Sequence, residues 1–177
     1  MTKILVTGAT GHLGRQLVPR LLQAGFAVRA ASRQPASEMQ KKTPDVEWVQ
    51  IDLVSGAGLA AAVSHVEAVI HAASGAGPSR KSQQVDVAGT QQLLAQARQA
   101  GIGQFFYISI VGIDRIPFSY YRAKLAAEAA IEQSDLPWTI LRATQFHSLL
   151  DMFLHGLARL PVLLVPTSFQ FQLIDSG

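Results

Sequence analysis

Cysteine is absent from the chain, which rules out disulfides, thiolate nucleophiles and cysteine-ligated metals. Charge is scarce as well. Charged residues make up 15% of the sequence, against about 25% in a typical soluble domain. No apolar run approaches the roughly 18 residues that a membrane helix needs, so no membrane association is expected. The opening MTKILVTGAT is not a signal peptide, because its apolar run breaks at Thr7 and Gly8. A cytoplasmic protein is the default expectation. The 15 Lys and Arg exceed the 12 Asp and Glu by three. They form no long basic block, so no nucleic-acid surface is expected.

What the chain does have is apolar residues, 49% of its 177. That length suits one domain with a sizeable core. Short apolar strands alternate with helical periodicity almost throughout. KILVT (3–7), AVRAAS (27–32), VEWVQI (46–51), EAVIHAAS (67–74), QFFYISI (104–110) and WTILR (138–142) read as strands. Leu13, Leu17, Leu21 and Ala24 have helical spacing, and Gly25 ends that helix. PASEMQKKTP reads as a loop with a short helical turn, and GLAAAVSHV as a small helix. Longer helices are expected from about Gln83 to Ala100 and from Ser119 to Gln133. HSLLDMFLHGLARL reads as helical, with VLLVP and FQFQL strand-like after it. Apolar, non-alternating strands joined by helices imply a doubly wound parallel sheet of α/β class, in three layers, α/β/α. Ligands of such sheets bind at the carboxyl ends of the strands.

The first of those ends reads TGATGHLG, with Gly8, Gly11 and Gly14 between a strand and an amphipathic helix. Gly8 permits the tight turn, Gly11 lets a pyrophosphate approach the backbone, and Gly14 allows close packing of helix on strand. Thr10, His12 and Leu13 belong to the same turn, with the helix N-terminus facing the anion. His12 either touches a phosphate or is a solvent-facing spacer.

A ribose-binding acid is expected at the end of the second strand, but VRAASRQ has none. Ser32 and Arg33 stand there, with Arg29 nearby. An arginine at that point suits a 2′-phosphate, so NADP(H) is expected in preference to NAD(H); the alternative is a solvated surface arginine. Asp52 and Leu53 follow the third strand. Asp52 either accepts from the adenine amino group or caps the next helix.

YYRAK, Tyr120 to Lys124, places two phenols three and four residues ahead of a lysine. Such a pair is either a proton donor tuned by a neighbouring cation or an aromatic packed on a lysine stem. His147 and His155 are eight residues apart, two turns of helix, too far for an obvious metal pair. No metal site is expected. The apolar helices around Ala123–Ile131 and Leu149–Leu160, with the low charge, suggest a homodimer or a larger assembly.

Taken together, TGATGHLG, VIHAAS, VDVAGTQQLL, FFYISIVG, YYRAK and PWTILRATQF resemble the short-chain dehydrogenase/reductase superfamily, in particular its atypical, NmrA-like NAD(P)-binding branch. The resemblance covers nearly the whole chain. It implies that Ala72, Ala73 and Ser74 form the loop passing the cofactor's ribose. It implies a catalytic set of Ser109, Tyr120 and Lys124. In that set Lys124 binds the nicotinamide ribose and lowers the pKa of Tyr120, Tyr120 protonates a carbonyl oxygen, and Ser109 hydrogen-bonds the same oxygen. Tyr121 lacks the family spacing and reads as packing or pocket wall. Thr144 to Phe146 correspond to the segment bordering the nicotinamide carboxamide. DVAGT is similar to the extended branch's NVxGT, with Asp86 where asparagine is usual. In this family more chain normally follows the FQFQ-type segment. Residues 143–177 therefore read as a remnant of the substrate-binding region, in a chain naturally short or truncated. The function implied is reduction of a small carbonyl or quinone-type acceptor by NADP(H). The alternative is a non-catalytic NADP(H) or redox sensor acting through protein partners.

Overall fold

A computed structural model describes residues 1–75, 79–115, 118–146 and 173–174. These residues carry strands β1 (Lys3–Thr7), β2 (Ala27–Ser32), β3 (Glu47–Gln50), β4 (Ala68–His71), β5 (Gln104–Ile110) and β6 (Trp138–Ala143). All six pair in parallel, in the order β3-β2-β1-β4-β5-β6. This is the doubly wound order in which chain direction across the sheet reverses between β1 and β4. Thr7 and His71 are partners in register at that reversal.

Side chains that alternate along each strand feed two cores. Leu5, Val69, Phe105 and Tyr107 join Leu59, Leu93 and Ile131 on one face of the sheet. Ile4, Val6, Val28 and Ala30 join Val18 and Val46 on the other. Burial on both faces explains why the strands read as continuous apolar runs. The first face is covered by α3 (Leu59–Val63), α5 (Thr90–Gln99) and α6 (Ser119–Glu132). The second is covered by α1 (His12–Gln23), while α2 (Ala36–Lys42) packs beside β3 at the edge of the sheet.

Helix α1 stops as its sequence requires. Gly25 adopts φ +85°, Phe26 N–H donates to Leu21 O at 3.0 Å, and Gly25 N–H donates to Leu22 O at 3.0 Å. This paired closure needs a residue tolerant of the left-handed region. Gly101 repeats it after α5.

Three expectations change. PASEMQKKTP holds a seven-residue helix, α2, rather than a loop with one turn. The helix expected from Gln83 begins earlier, as α4 (Ser79–Ser82), and passes through a π-helical stretch, Gln83–Gly89, before α5. The π stretch widens the turn and carries Asp86 into the interior. The apolar stripe of α6 is also not a free surface: Ala123, Ala127 and Ile131 are each 0% exposed, and the latter two pack in the first core. It therefore gives no support to a homodimer; the Leu149–Leu160 stripe, His147 and His155 lie outside the described residues. Beyond β6, β7 (Gln145–Phe146) pairs in parallel with β8 (Leu173–Ile174).

Candidate functional site

The glycine-rich turn leaves β1 at the point of reversal. Gly8 has φ +73°, and a Cβ there would stand 2.6 Å from the Ala73 nitrogen. The turn therefore lies directly on the loop after β4, which only glycine permits. A Cβ on Gly14 would stand 2.3 Å from Gly8 O, so α1 packs against the turn itself. Gly11 N–H donates to Gly8 O at 2.9 Å. Arg15, which carried no expectation, braces the turn by donating to Thr10 O at 2.9 Å. Thr10 and His12 are exposed and Leu13 is half-buried. The first turn of α1 holds no acidic residue and its N-cap makes no side-chain bond. The positive end of the helix dipole is thus left without an acid in its own first turn, which suits an anion site. These features fit a dinucleotide's pyrophosphate.

The end of β2 separates the two arginines. Arg29 donates to Glu47 and to the carbonyls of Ala61, Ala62 and Ser64, at 2.6 to 3.1 Å. It closes the end of α3 and is no cofactor cation. Arg33 is exposed. It lies in a small turn in which Gln34 N–H donates to Ser32 Oγ at 3.0 Å. Ser32 itself is buried. A groove of about 630 Å³ runs from Thr10 and Gln34 between α1 and α2, over Val18, Met39 and Trp48. Tyr120 and Lys124 do not line it.

Asp52 Oδ1 accepts from Val54 N–H at 2.8 Å. The N-cap of α3 is Gly58, without a side-chain bond. Asp52 therefore folds the turn before the helix rather than capping the helix. Leu53 turns its side chain into the core, 8% exposed, which leaves its backbone alone to face a cofactor.

Across the reversal, the site is made of side chains. The loop after β4 contains Ala72, Ala73 and Ser74, and Ser74 Oγ is 2.9 Å from Tyr120 Oη on α6. Lys124, one turn further along α6, is 4% exposed. Its Nζ donates to Ile108 O at 3.0 Å, lies 3.6 Å from Asp86 Oδ1 and sits 4.5 Å over the Tyr107 ring. Ser109, beside Ile108 on β5, is 2% exposed, and its Oγ meets no hydrogen-bond partner among the described residues. A buried hydroxyl so placed suits an atom of a bound ligand. Tyr121 packs its ring on Phe118 and Tyr120, at 5.8 and 5.9 Å. Thr144 is half-buried after β6. Phe146 pairs through its backbone with Ile174, and its side chain lies outside the described residues.

Charge in this region departs from one expectation. Burial pushes the Tyr120 phenol above its ordinary value, and the Ser74 bond pulls it partly back. The Lys124 ammonium is held by Ile108 O and Asp86. Burial pulls Lys124 itself below the usual lysine range, while Asp86 and then Glu128 act in the opposite direction.

The two sides are joined by a buried chain of hydroxyls that sequence reasoning passed over. Thr90 Oγ1 donates to Asp86 O at 2.6 Å. Its one proton is then spent, so His71 Nε2, 3.0 Å away, donates to Thr90. His71 is 0% exposed, and burial pulls its pKa down to about 3, so it is neutral. Its Nδ1 is therefore bare and accepts from Thr7 Oγ1 at 2.6 Å. The one available signal was a polar residue in each apolar run: threonine in KILVT and histidine in AVIH. Among the described residues no group of three or more His, Asp or Glu is placed to hold a metal ion. No helix there is long and apolar enough to cross a membrane.

The comparisons with known proteins agree with this geometry. A family model described as NAD(P)H-binding matches residues 8–148. The chloroplastic divinyl chlorophyllide a 8-vinyl-reductase of Oryza sativa subsp. indica is 34% identical over 165 residues, covering 82% of this chain and 40% of that protein. The 2-alkyl-3-oxoalkanoate reductase of Stenotrophomonas maltophilia is 34% identical over 148 residues, covering 74% and 44%. A solved short-chain dehydrogenase/reductase superfamily protein from Agrobacterium tumefaciens, with bound NAD, is similar at a TM-score of 0.69 and 27% identity, covering 82% of this chain and 50% of that one. The chain thus spans 40% and 44% of the length of the two reductases.

Proposed function

We propose, from the premise that the chain belongs to the NAD(P)H-binding family of the short-chain dehydrogenase/reductase superfamily, that it reduces a small carbonyl or quinone-type acceptor with NADP(H). The observation that carries this reading is the convergence of Ser74, Tyr120, Lys124 and Ser109 at the carboxyl ends of β4 and β5, beside the glycine-rich turn. A bound dihydronicotinamide supplies the hydride. Lys124 holds the ribose next to it. Tyr120, kept protonated by burial, gives its proton to the acceptor's oxygen. Ser109 donates a hydrogen bond to that oxygen as charge develops on it. Exposed Arg33 meets the 2′-phosphate and biases the site toward NADP(H). Thr144 and Phe146 border the nicotinamide.

One observation favours a second reading, within the NmrA-like branch: a protein that binds NADP(H) and reports its redox state to protein partners. Lys124 is turned to Asp86, and the Tyr120 phenol is raised rather than lowered, which suits holding a cofactor better than fast proton transfer. Calorimetric titration with NADPH and NADH, followed by NADPH oxidation assays over a broad panel of quinones and aldehydes, separates the readings. A reductase binds NADPH more tightly and consumes it with at least one acceptor. Tight binding with no turnover selects the sensor. Equal affinity for NADH overturns the role of Arg33.

A further inference from the structure

Asp86 is 0% exposed and stands on the π-helical stretch. Its Oδ2 accepts from Gly75 N–H at 2.9 Å. Its Oδ1 has no hydrogen-bond partner among the described residues and lies 3.6 Å from Lys124 Nζ. The Gly75 peptide is held at its other end too, by Ser82 Oγ donating to Gly75 O at 3.2 Å. A Cβ on Gly75 would meet Lys81 O at 2.6 Å, so the loop lies flat against the helix that bears Asp86.

These contacts close a ring. Asp86 fixes Gly75, and Gly75 carries the adjacent Ser74. Ser74 holds the Tyr120 hydroxyl, Tyr120 shares a helix turn with Lys124, and Lys124 returns to Asp86. We propose that Asp86 is a positioning residue: its buried carboxylate ties the loop bearing Ser74 to the ammonium of Lys124, and its charge keeps Lys124 a cation able to hold the ribose. The second half of this statement rests on the function proposed above. The first half concerns the chain alone.

The chemistry requires a carboxylate here and not merely a hydrogen-bond acceptor. A buried ammonium facing only neutral groups gives up its proton. Other groups also face Lys124. Tyr107 offers a ring face and a buried phenol, and Ile108 a neutral carbonyl. His71 is neutral, and Glu128 is committed to Arg142 by two bonds of 2.5 and 3.1 Å. Among the described residues, Asp86 is then the nearby anion without a competing cation. An asparagine of the same shape would keep the Gly75 bond but leave Lys124 without that compensation.

The test compares Asp86→Asn and Asp86→Ala with the parent chain. Lys124 is followed by NMR of its 13C-labelled side chain across alkaline pH, assigned with Lys124→Met. In Asp86→Asn the titration midpoint of Lys124 is expected to fall. NADPH binding is expected to weaken about tenfold, with the loss growing as pH rises, because the deprotonated lysine no longer supplies its charge-assisted bonds. Asp86→Ala is expected to do the same and also to raise hydrogen exchange at Gly75. A purely structural Asp86 would move exchange and stability but leave the Lys124 titration in place, and that result overturns the proposal. If the titration falls but none of the three chains, the parent included, binds NADPH, the ring stands and the proposed function fails. Should Asp86→Asn not fold, the double variant Asp86→Asn/Lys124→Met decides. Recovery of folding supports charge pairing, and persistent unfolding overturns it.

Discussion

The two halves of the sheet build their parts of the site by opposite means. On β1 to β3 the site is largely backbone: a glycine turn at φ +73° and a helix N-terminus without acid, with exposed Arg33 beside a serine turn. On β4 to β6 it is buried side chains from four separate elements, with Asp86, Lys124, His71 and Ser109 all nearly or wholly inaccessible. Backbone sites need the right residues in one short stretch. Side-chain sites need distant residues to arrive together, and each buried polar group costs free energy unless it finds a partner. The first half should therefore respond to steric change and the second to changes of charge and protonation.

The contrast is tested most strongly at Tyr120. Tyr120→Phe removes the proton donor and is expected to lower turnover by about 10²- to 10⁴-fold with little change in NADPH affinity; equal turnover in the variant would remove Tyr120 as the acid.

Next in size is the response to acid. His71 is neutral in the folded chain, with a pKa of about 3 against 6.5 in a free side chain. Below pH 6.5 the unfolded chain takes up a proton that the folded one refuses, so stability falls as pH falls. The slope from this residue is about 1.4 kcal/mol per pH unit between those values. Chemical denaturation at several pH values should show the slope in the parent and lose it in His71→Gln, provided the variant folds.

The backbone half should show little tolerance of size. Gly14→Ala forces a Cβ to 2.3 Å from Gly8 O and is expected to cost about 2–3 kcal/mol and to abolish detectable NAD(P)H binding. Wild-type stability and affinity in this variant would show that the turn can shift.

The smallest effect is at the rim. Arg33→Ser is expected to weaken NADPH binding about tenfold, roughly 1.4 kcal/mol, and to leave NADH unchanged, as read by calorimetry. An equal loss for both cofactors would place Arg33 somewhere other than the 2′-phosphate.

Legibility in the sequence follows the same division. The α1 boundaries, the strand at 104–110 and the reversal-point turn were readable because periodicity, glycine spacing and capping are local. Arg29 stands near Arg33 in sequence, and only the fold shows that Glu47 and the end of α3 claim it. Leu53 beside Asp52 looked available until the core took its side chain. The α6 stripe looked like an interface because apolar periodicity does not say which neighbour will cover it. Asp86 was visible as a departure from the family pattern, but its partners lie 11 residues before it at Gly75 and 38 after it at Lys124.

What the sequence determined by itself was the class of the molecule: a parallel α/β sheet with a phosphate-sized turn at its first strand. Those features are set by the conformational range of glycine and the period of apolar residues, which act over a few positions. Only the tertiary structure decided which polar residues meet, that His71 is neutral with Nε2 protonated, and that Lys124 faces Asp86 rather than Tyr120. The reason is physical. In a dry interior the state of each proton and charge depends on the partner within about 4 Å, and the whole fold selects that partner.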